Sequence, residues 1–187
     1  MNKKKIAITI LLIISIVITM FIIHTIQKSN RRKVQQEIIE NWTIEETNII
    51  KEDEIIEEFS DSAIGKLKIP ILSLDAEIAE GTDSQILSKY IGHLKNSSIW
   101  DGNVVLASHN RGENVVHYFE NIHKLQEGDL IVYITRWGQR KYKVESVIKV
   151  KETDWSITEN SEENIITLIT CIKGKKELRL CVKAVEI

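Results

Sequence analysis

Ile6 to Ile23 is an uncharged run dominated by Ile, Leu and Val, and Lys3, Lys4 and Lys5 stand directly before it. Those eighteen residues make a helix of roughly 27 Å at about 1.5 Å per residue, close to the hydrocarbon thickness of a bilayer. A cleaved signal sequence also starts with positive charge and an apolar stretch, but its apolar part is usually shorter and closes on small residues. Here the run closes on Phe21, Ile22, Ile23 and His24 with no small-x-small site. The expectation is an uncleaved anchor over residues 6–26, behind a short tail of residues 1–5. Lys28, Arg31, Arg32 and Lys33 follow the run and balance the lysines before it, so the positive-inside rule alone does not orient the chain.

Residues 27–61 are polar and acidic. Val34, Ile38, Ile39 and Trp42 recur at spacings of three to four, as on one helical face, so a helical stalk or a docking lid is one reading. A charged, solvated linker is the other. From Arg31 to Asp61 there is no Gly and no Pro, which argues against a floppy tether.

Beyond Ser62 the texture changes to short apolar runs separated by turn signals, and 187 residues suffice for one such domain with a real core. Strands are expected at Leu67–Ile69, Ile71–Ile78, Asn103–Ser108, Leu130–Thr135, Lys141–Val150, Ile165–Cys171 and Leu178–Val185. Tyr142, Val144, Ile148 and Val150 alternate with Lys143, Glu145 and Lys149, and Arg136–Gln139 with its Gly138 would close a hairpin before them. Only Ser84–Lys89 and Asn114–Lys124 read as short helices. The domain at 62–187 is therefore expected to be all-β, a closed barrel or a sandwich. A formal net charge of -2 gives no overall basic surface for a nucleic-acid backbone, so nucleic acid is not expected as a partner.

The two cysteines, Cys171 and Cys181, make neither a disulfide framework nor a four-ligand zinc pattern. Cys171 ends a strand and precedes the polar loop Ile172–Glu177, so its thiol belongs at a rim where substrate can reach it. Cys181 lies within the last strand, where a cysteine serves as a small core residue. If residues 172–178 connect an antiparallel pair, Arg179 can stand beside Cys171, where a fixed cation can stabilise a thiolate or an oxyanion. Cys181, two residues beyond Arg179, would project from that strand face deeper in the barrel, roughly 6 to 7 Å along the strand from Cys171, too far for an unstrained disulfide. His109 also ends an apolar strand, Val104–Ala107, and precedes the turn Asn110, Arg111, Gly112. With no His or Cys within four positions of it, proton transfer suits it better than metal binding. His24 belongs to the anchor, and His117 and His123 are read as packing or surface residues.

Thr167 to Cys171 spell TLITC, which resembles the TLxTC signature of sortases, with an arginine on the following strand and a histidine ending an earlier one. The resemblance runs over residues 63–187 through IGKLKIPIL, EGTDSQILSKYIGH, NVVLASHNRG and YFENIHKLQEGDLIVY to TLITC. It looks most like the class D group. Two departures stand out: Ser108 occupies a position where many relatives have Gly, and no proline follows Cys171. The resemblance implies an eight-stranded β-barrel with short helices, preceded by one transmembrane helix, with the C-terminal domain outside the membrane. It implies Cys171 as nucleophile, His109 as general acid and base, and Arg179 as substrate or oxyanion clamp, with Thr170, Ala107 and Ser108 against the substrate and neither cofactor nor metal. His93, in the GH pair after Ile91, is the second-choice histidine. The implied reaction cleaves an LPxTG-like sorting signal between Thr and Gly through a thioester and passes the acyl group to a cell-wall or pilin amine. The partners are then surface proteins bearing the signal, the amine acceptor, and membrane lipid around the helix. Two alternatives are a membrane-anchored cysteine peptidase that only hydrolyses and an inactive extracellular binding module.

Overall fold

The computed structural model describes residues 3–49 and 59–187, in two units, Met1–Asp53 and Glu54–Ile187. The first is a single helix, α1 (Lys3–Ile49), of which Ile8–Glu37 is long and apolar enough to cross a membrane. The helix does not break where the expected anchor gives way to the stalk. No Gly or Pro interrupts the backbone there, so the ladder of i to i−4 bonds runs on through the polar sequence. The rest of the expected stalk, residues 50–58, lies outside the described residues.

The second unit is a closed eight-stranded barrel: β1 (Ala63–Ile69), β2 (Leu74–Glu80), β3 (Ile91–His93), β4 (Asn103–Ala107), β5 (Leu130–Thr135), β6 (Gly138–Lys151), β7 (Ile165–Ile172) and β8 (Lys175–Glu186). The strands follow one another around it as β1-β2-β3-β4-β7-β8-β6-β5. β2–β3 and β4–β7 are parallel, and the other neighbours are antiparallel. Alternation decides what faces the core: Val104 and Leu106, Ile166 and Leu168, Val182 and Ala184 all fill it, one residue in two on each strand. Tyr133, Tyr142 and Phe119 are the largest side chains buried there. Closure leaves no exposed sheet edge to recruit other chains.

Several strand boundaries differ from expectation, each for a local reason. The expected strand Ile71–Ile78 begins only at Leu74, because Pro70–Leu72 form a 3-10 turn ended by Ser73 in a left-handed conformation, φ 51°. β3 escapes the pattern because it has three residues, all buried, and no alternation. Gly92 at its centre is required: a Cβ there would stand 2.3 Å from the carbonyl oxygen of Gly81. The hairpin between β5 and β6 is tighter than expected, since Thr135 already pairs with Gly138 and only Arg136 and Trp137 turn.

Of the two expected helices, the first is α2 (Ser84–Leu87), capped by Asp83, whose carboxylate accepts from the amides of Gln85 and Ile86 at 2.9 and 3.1 Å. The second, Asn114–Lys124, shrinks to a 3-10 turn at Ile122–Lys124. Its amides go elsewhere: Val116 N–H donates to Ser88 O at 3.2 Å and Phe119 N–H to His109 O at 3.1 Å. Phe119 is fully buried, so anchoring the segment to the barrel outweighs the weak helical propensity.

Asn103 ties down the long connection between β6 and β7. Its amide nitrogen donates to the carbonyls of Ile157 and Glu159 at 3.1 and 2.8 Å, while its oxygen accepts from the Thr167 hydroxyl at 2.8 Å. The connection is thereby held at the starts of β4 and β7, the ends of those strands away from Ala107 and Cys171.

Candidate active site

The site begins with register. β4 and β7 run parallel at constant offset, from Asn103 opposite Ile165 to Ala107 opposite Ile169. Carried two residues further, the same offset brings His109 level with Cys171. The backbone supports the continuation: Ser108 N–H donates to Ile169 O at 3.4 Å, the Thr170 hydroxyl donates to Ser108 O at 2.7 Å, and the Asn110 side-chain amide donates to Cys171 O. On the other flank Cys171 pairs directly with Arg179 across the antiparallel β7–β8 ladder. His109, Cys171 and Arg179 thus form one row across three neighbouring chain segments, with backbones spaced about 4.8 Å apart and the cysteine in the middle.

The expected loop between Cys171 and Arg179 is replaced by a tight turn. Ile172 pairs with Lys175, leaving Lys173 and Gly174 as the only turn residues, with Gly174 at φ 76° and a bulge between Cys171 and Ile172. The bulge ends the regular ladder at Cys171, which is exposed.

Arg179 does not dangle. Its guanidinium donates to Glu152 Oε2 at 2.9 Å and to the carbonyls of Lys176 and Leu178 at 2.7 and 3.0 Å. Glu152 follows β6, and its own amide is bonded to Glu177 O at 2.9 Å, so the carboxylate is presented from a fixed strand end. Cys181 is free and buried, opposite Ile169 on the same strand face as Arg179. That face is the outer one, not the barrel interior, into which Leu180 and Val182 point. Burial pushes its thiol up to about 11, which keeps the sulfur protonated at neutral pH and unsuited to attack.

Thr170 and Ser108 alternate to the opposite side from Cys171 and are buried, 4% and 5% exposed. The Thr170 hydroxyl is committed to Ser108 O, whereas the Ser108 hydroxyl has no partner among the described residues. Ala107 lies on the Cys171 side, half-buried, opposite Ile169. His93 sits on β3, level with Leu106, and both its ring nitrogens are engaged: Nδ1 with Glu80 Oε2 at 2.9 Å, Nε2 with Ser98 O at 3.0 Å and the Ser97 hydroxyl at 3.1 Å. It has no free nitrogen for proton transfer and stands a strand further away than His109. His117 contacts Gly112 O at 2.7 Å, and His123 Nδ1 contacts Glu120 O at 3.0 Å. Among the described residues no three His, Cys, Asp or Glu side chains gather as a metal site would need.

A pocket of about 390 Å³ opens beside Cys171 at the mouth of the barrel. Its floor is apolar, with Phe119, Ile172 and Leu180, and its walls carry Arg111, Lys149 and Lys173, with Glu120 and His123 among its other polar residues. Nothing in the local sequence pattern announced it, since its walls come from the segment after β4, from β6 and from the β7–β8 turn. An exposed thiol in line with a histidine and an arginine, beside a pocket, is an arrangement suited to covalent acyl transfer.

The family model for the sortase domain matches residues 67–187. Sortase A of Bacillus anthracis is 28% identical over 156 residues, covering 82% of this chain and 72% of that protein. Sortase D of Bacillus subtilis is 33% identical over 112 residues, 58% of this chain and 54% of that protein. Among solved structures, sortase A from Corynebacterium diphtheriae superposes with a TM-score of 0.63 at 27% identity over 67% of this chain and 60% of that one. Sortase C2 of Group B Streptococcus pilus island 1 does so with 0.64 at 27% over 69% and 76%.

Proposed function

Since this chain belongs to the sortase family, we propose that it is a membrane-anchored cysteine transpeptidase working through Cys171. The observation that carries this reading is the row His109–Cys171–Arg179, level across the parallel β4–β7 and antiparallel β7–β8 pairings.

In the proposed reaction the Cys171 sulfur attacks the Thr carbonyl carbon of an LPxTG-like signal. Arg179 stabilises the oxyanion that forms. The Thr–Gly C–N bond breaks, His109 gives a proton to the departing amine, and the acyl group remains as a thioester. An amine from a cell-wall precursor or a pilin then attacks the thioester carbonyl; the new C–N bond forms, the C–S bond breaks, and His109 takes up the amine's proton. A thioester keeps the acyl group activated until the amine arrives. Ala107, on the Cys171 side, would lie against the signal, whereas Ser108 and Thr170, buried on the opposite side and joined by the Thr170 hydroxyl to Ser108 O bond, would only fix the strand ends behind it. The partners are surface proteins bearing the signal, the amine acceptor and the lipid around α1.

Mass spectrometry of the full chain in detergent, mixed with an LPxTG-type peptide with and without an added amine, tests the proposal. The expected result is an acyl adduct on Cys171 and an amide product when the amine is present, both lost in Cys171→Ala. Hydrolysis without transfer would identify a peptidase, no adduct a binding module, and an active Cys171→Ala protein would end the cysteine mechanism.

A further inference from the structure

We infer that Glu152 is a positioning residue for the reaction at Cys171, its carboxylate holding the Arg179 guanidinium so that the donors left over are kept ready for the oxyanion. The inference rests on the transpeptidase reading above and adds a residue to it.

Register places the carboxylate. β8 lies between β7 and β6, and Arg179 stands opposite Cys171 on one side and opposite Val150 on the other. Glu152 comes two residues after Val150, so alternation returns it to the face that Arg179 and Cys171 share. It is the diagonal neighbour of Arg179, a separation that two long side chains bridge, and Nη2 donates to Oε2 at 2.9 Å. The Glu152 amide in turn donates to Glu177 O at 2.9 Å. The backbone that carries the carboxylate is thus fastened to the strand that carries the arginine.

Donor accounting shows what the bond does. A guanidinium carries about five N–H donors in one plane. Nη1 donates to Lys176 O at 2.7 Å and to Leu178 O at 3.0 Å, and Nη2 donates to Glu152. The Nε–H and the second Nη2–H have no partner among the described residues. When the Cys171 sulfur adds to the carbonyl carbon, the C=O π pair moves onto oxygen, and donors already in place stabilise that charge without reorganising. Take Glu152 away, and both remaining bonds run from Nη1 to carbonyls of the arginine's own strand. The guanidinium could then swing about that one nitrogen. No other carboxylate pairs with Arg179 among the described residues. The two side chains are 29% and 45% exposed, and an ion pair so wet contributes little to folding. Orientation of the arginine, not stability, is what the pair supplies.

The test follows single-turnover formation of the Cys171 adduct by mass spectrometry, with the full chain in detergent and an LPxTG-type peptide over a range of concentrations. Glu152→Ala should slow the rate at saturating peptide by about tenfold, with Glu152→Gln between it and the wild type. The half-saturating concentration should stay within about twofold, because the oxyanion forms only on the way to the transition state. In an Arg179→Ala background, with adduct followed over hours, the same Glu152→Ala change should alter the rate by less than about twofold, since nothing is left to position. Urea midpoints of the Glu152 variants should match the wild type's. A Glu152→Ala protein as fast as the wild type or faster, a slowing that persists undiminished without Arg179, or a marked loss of stability would overturn the inference, while an adduct on wild-type Cys171 would leave the transpeptidase reading standing. If no adduct forms on wild-type Cys171, both readings fall together.

Discussion

Arg179 is held by three acceptors at once, the Glu152 carboxylate and two main-chain carbonyls. A planar guanidinium can satisfy such a set while keeping an edge toward its neighbour, whereas an ammonium on a flexible stem is a point charge without that geometry. Arg179→Lys therefore separates two roles. If the arginine directs hydrogen bonds to the substrate carbonyl or oxyanion, peptide cleavage should slow by about 10²-fold or more. If it acts only as a nearby positive charge, lysine should largely replace it. Steady-state cleavage rates, with folding checked by circular dichroism, decide between them, and a near-normal rate would remove Arg179 from the directed contacts of the reaction. The other cysteine offers no substitute nucleophile, since burial keeps Cys181 in the thiol form.

Among elements, the β7–β8 hairpin and the end of β4 carry the candidate site, and the rest of the barrel holds them in register. The chain enters the barrel under a second local control. The Ser60 amide and hydroxyl donate to the two oxygens of Glu77 at 3.0 and 2.7 Å, fastening the approach to β1 onto β2. The Ser60 amide first, and its hydroxyl second, hold the Glu77 carboxyl below its ordinary value. A carboxyl depressed in the folded state adds stability above its unfolded value, and that contribution is lost as pH falls through the folded value. Ser60→Ala should thus lower stability at neutral pH by on the order of 0.5 kcal/mol, an amount already discounted for the exposure of the pair. In strongly acid buffer the loss should disappear. Urea unfolding of both proteins across that range checks it; a loss that persists unchanged in acid would mean that Ser60 acts through packing and not through the carboxylate.

At the scale of the molecule, an apolar helix and a closed barrel divide the work that the proposed function requires. α1 supplies a span long enough for a bilayer, and the proposal places the barrel outside. Protoplasts treated with external protease should lose residues 62–187, and survival of that domain while a surface control is digested would reverse the topology.

Strand alternation, the uncharged run, the strand-end positions of Cys171 and His109, and TLITC are all legible in the sequence, because they are local features that local sterics and burial decide. β3, the shortened helix after Asn114 and the break after Pro70 are not, because in each the backbone gives its hydrogen bonds to distant segments or to a turn. The parallel pairing of β4 with β7, the ring closure and the cationic pocket beside Cys171 also belong to tertiary structure alone. Register between strands far apart in sequence is set by how two buried faces and their hydrogen-bond ladders fit together. The amino-acid sequence by itself determined which residues could do the chemistry and, through the hairpin pattern, that Arg179 can stand beside Cys171; only the folded barrel decided that His109 stands level with that pair, since the β4–β7 register depends on contacts no local pattern contains.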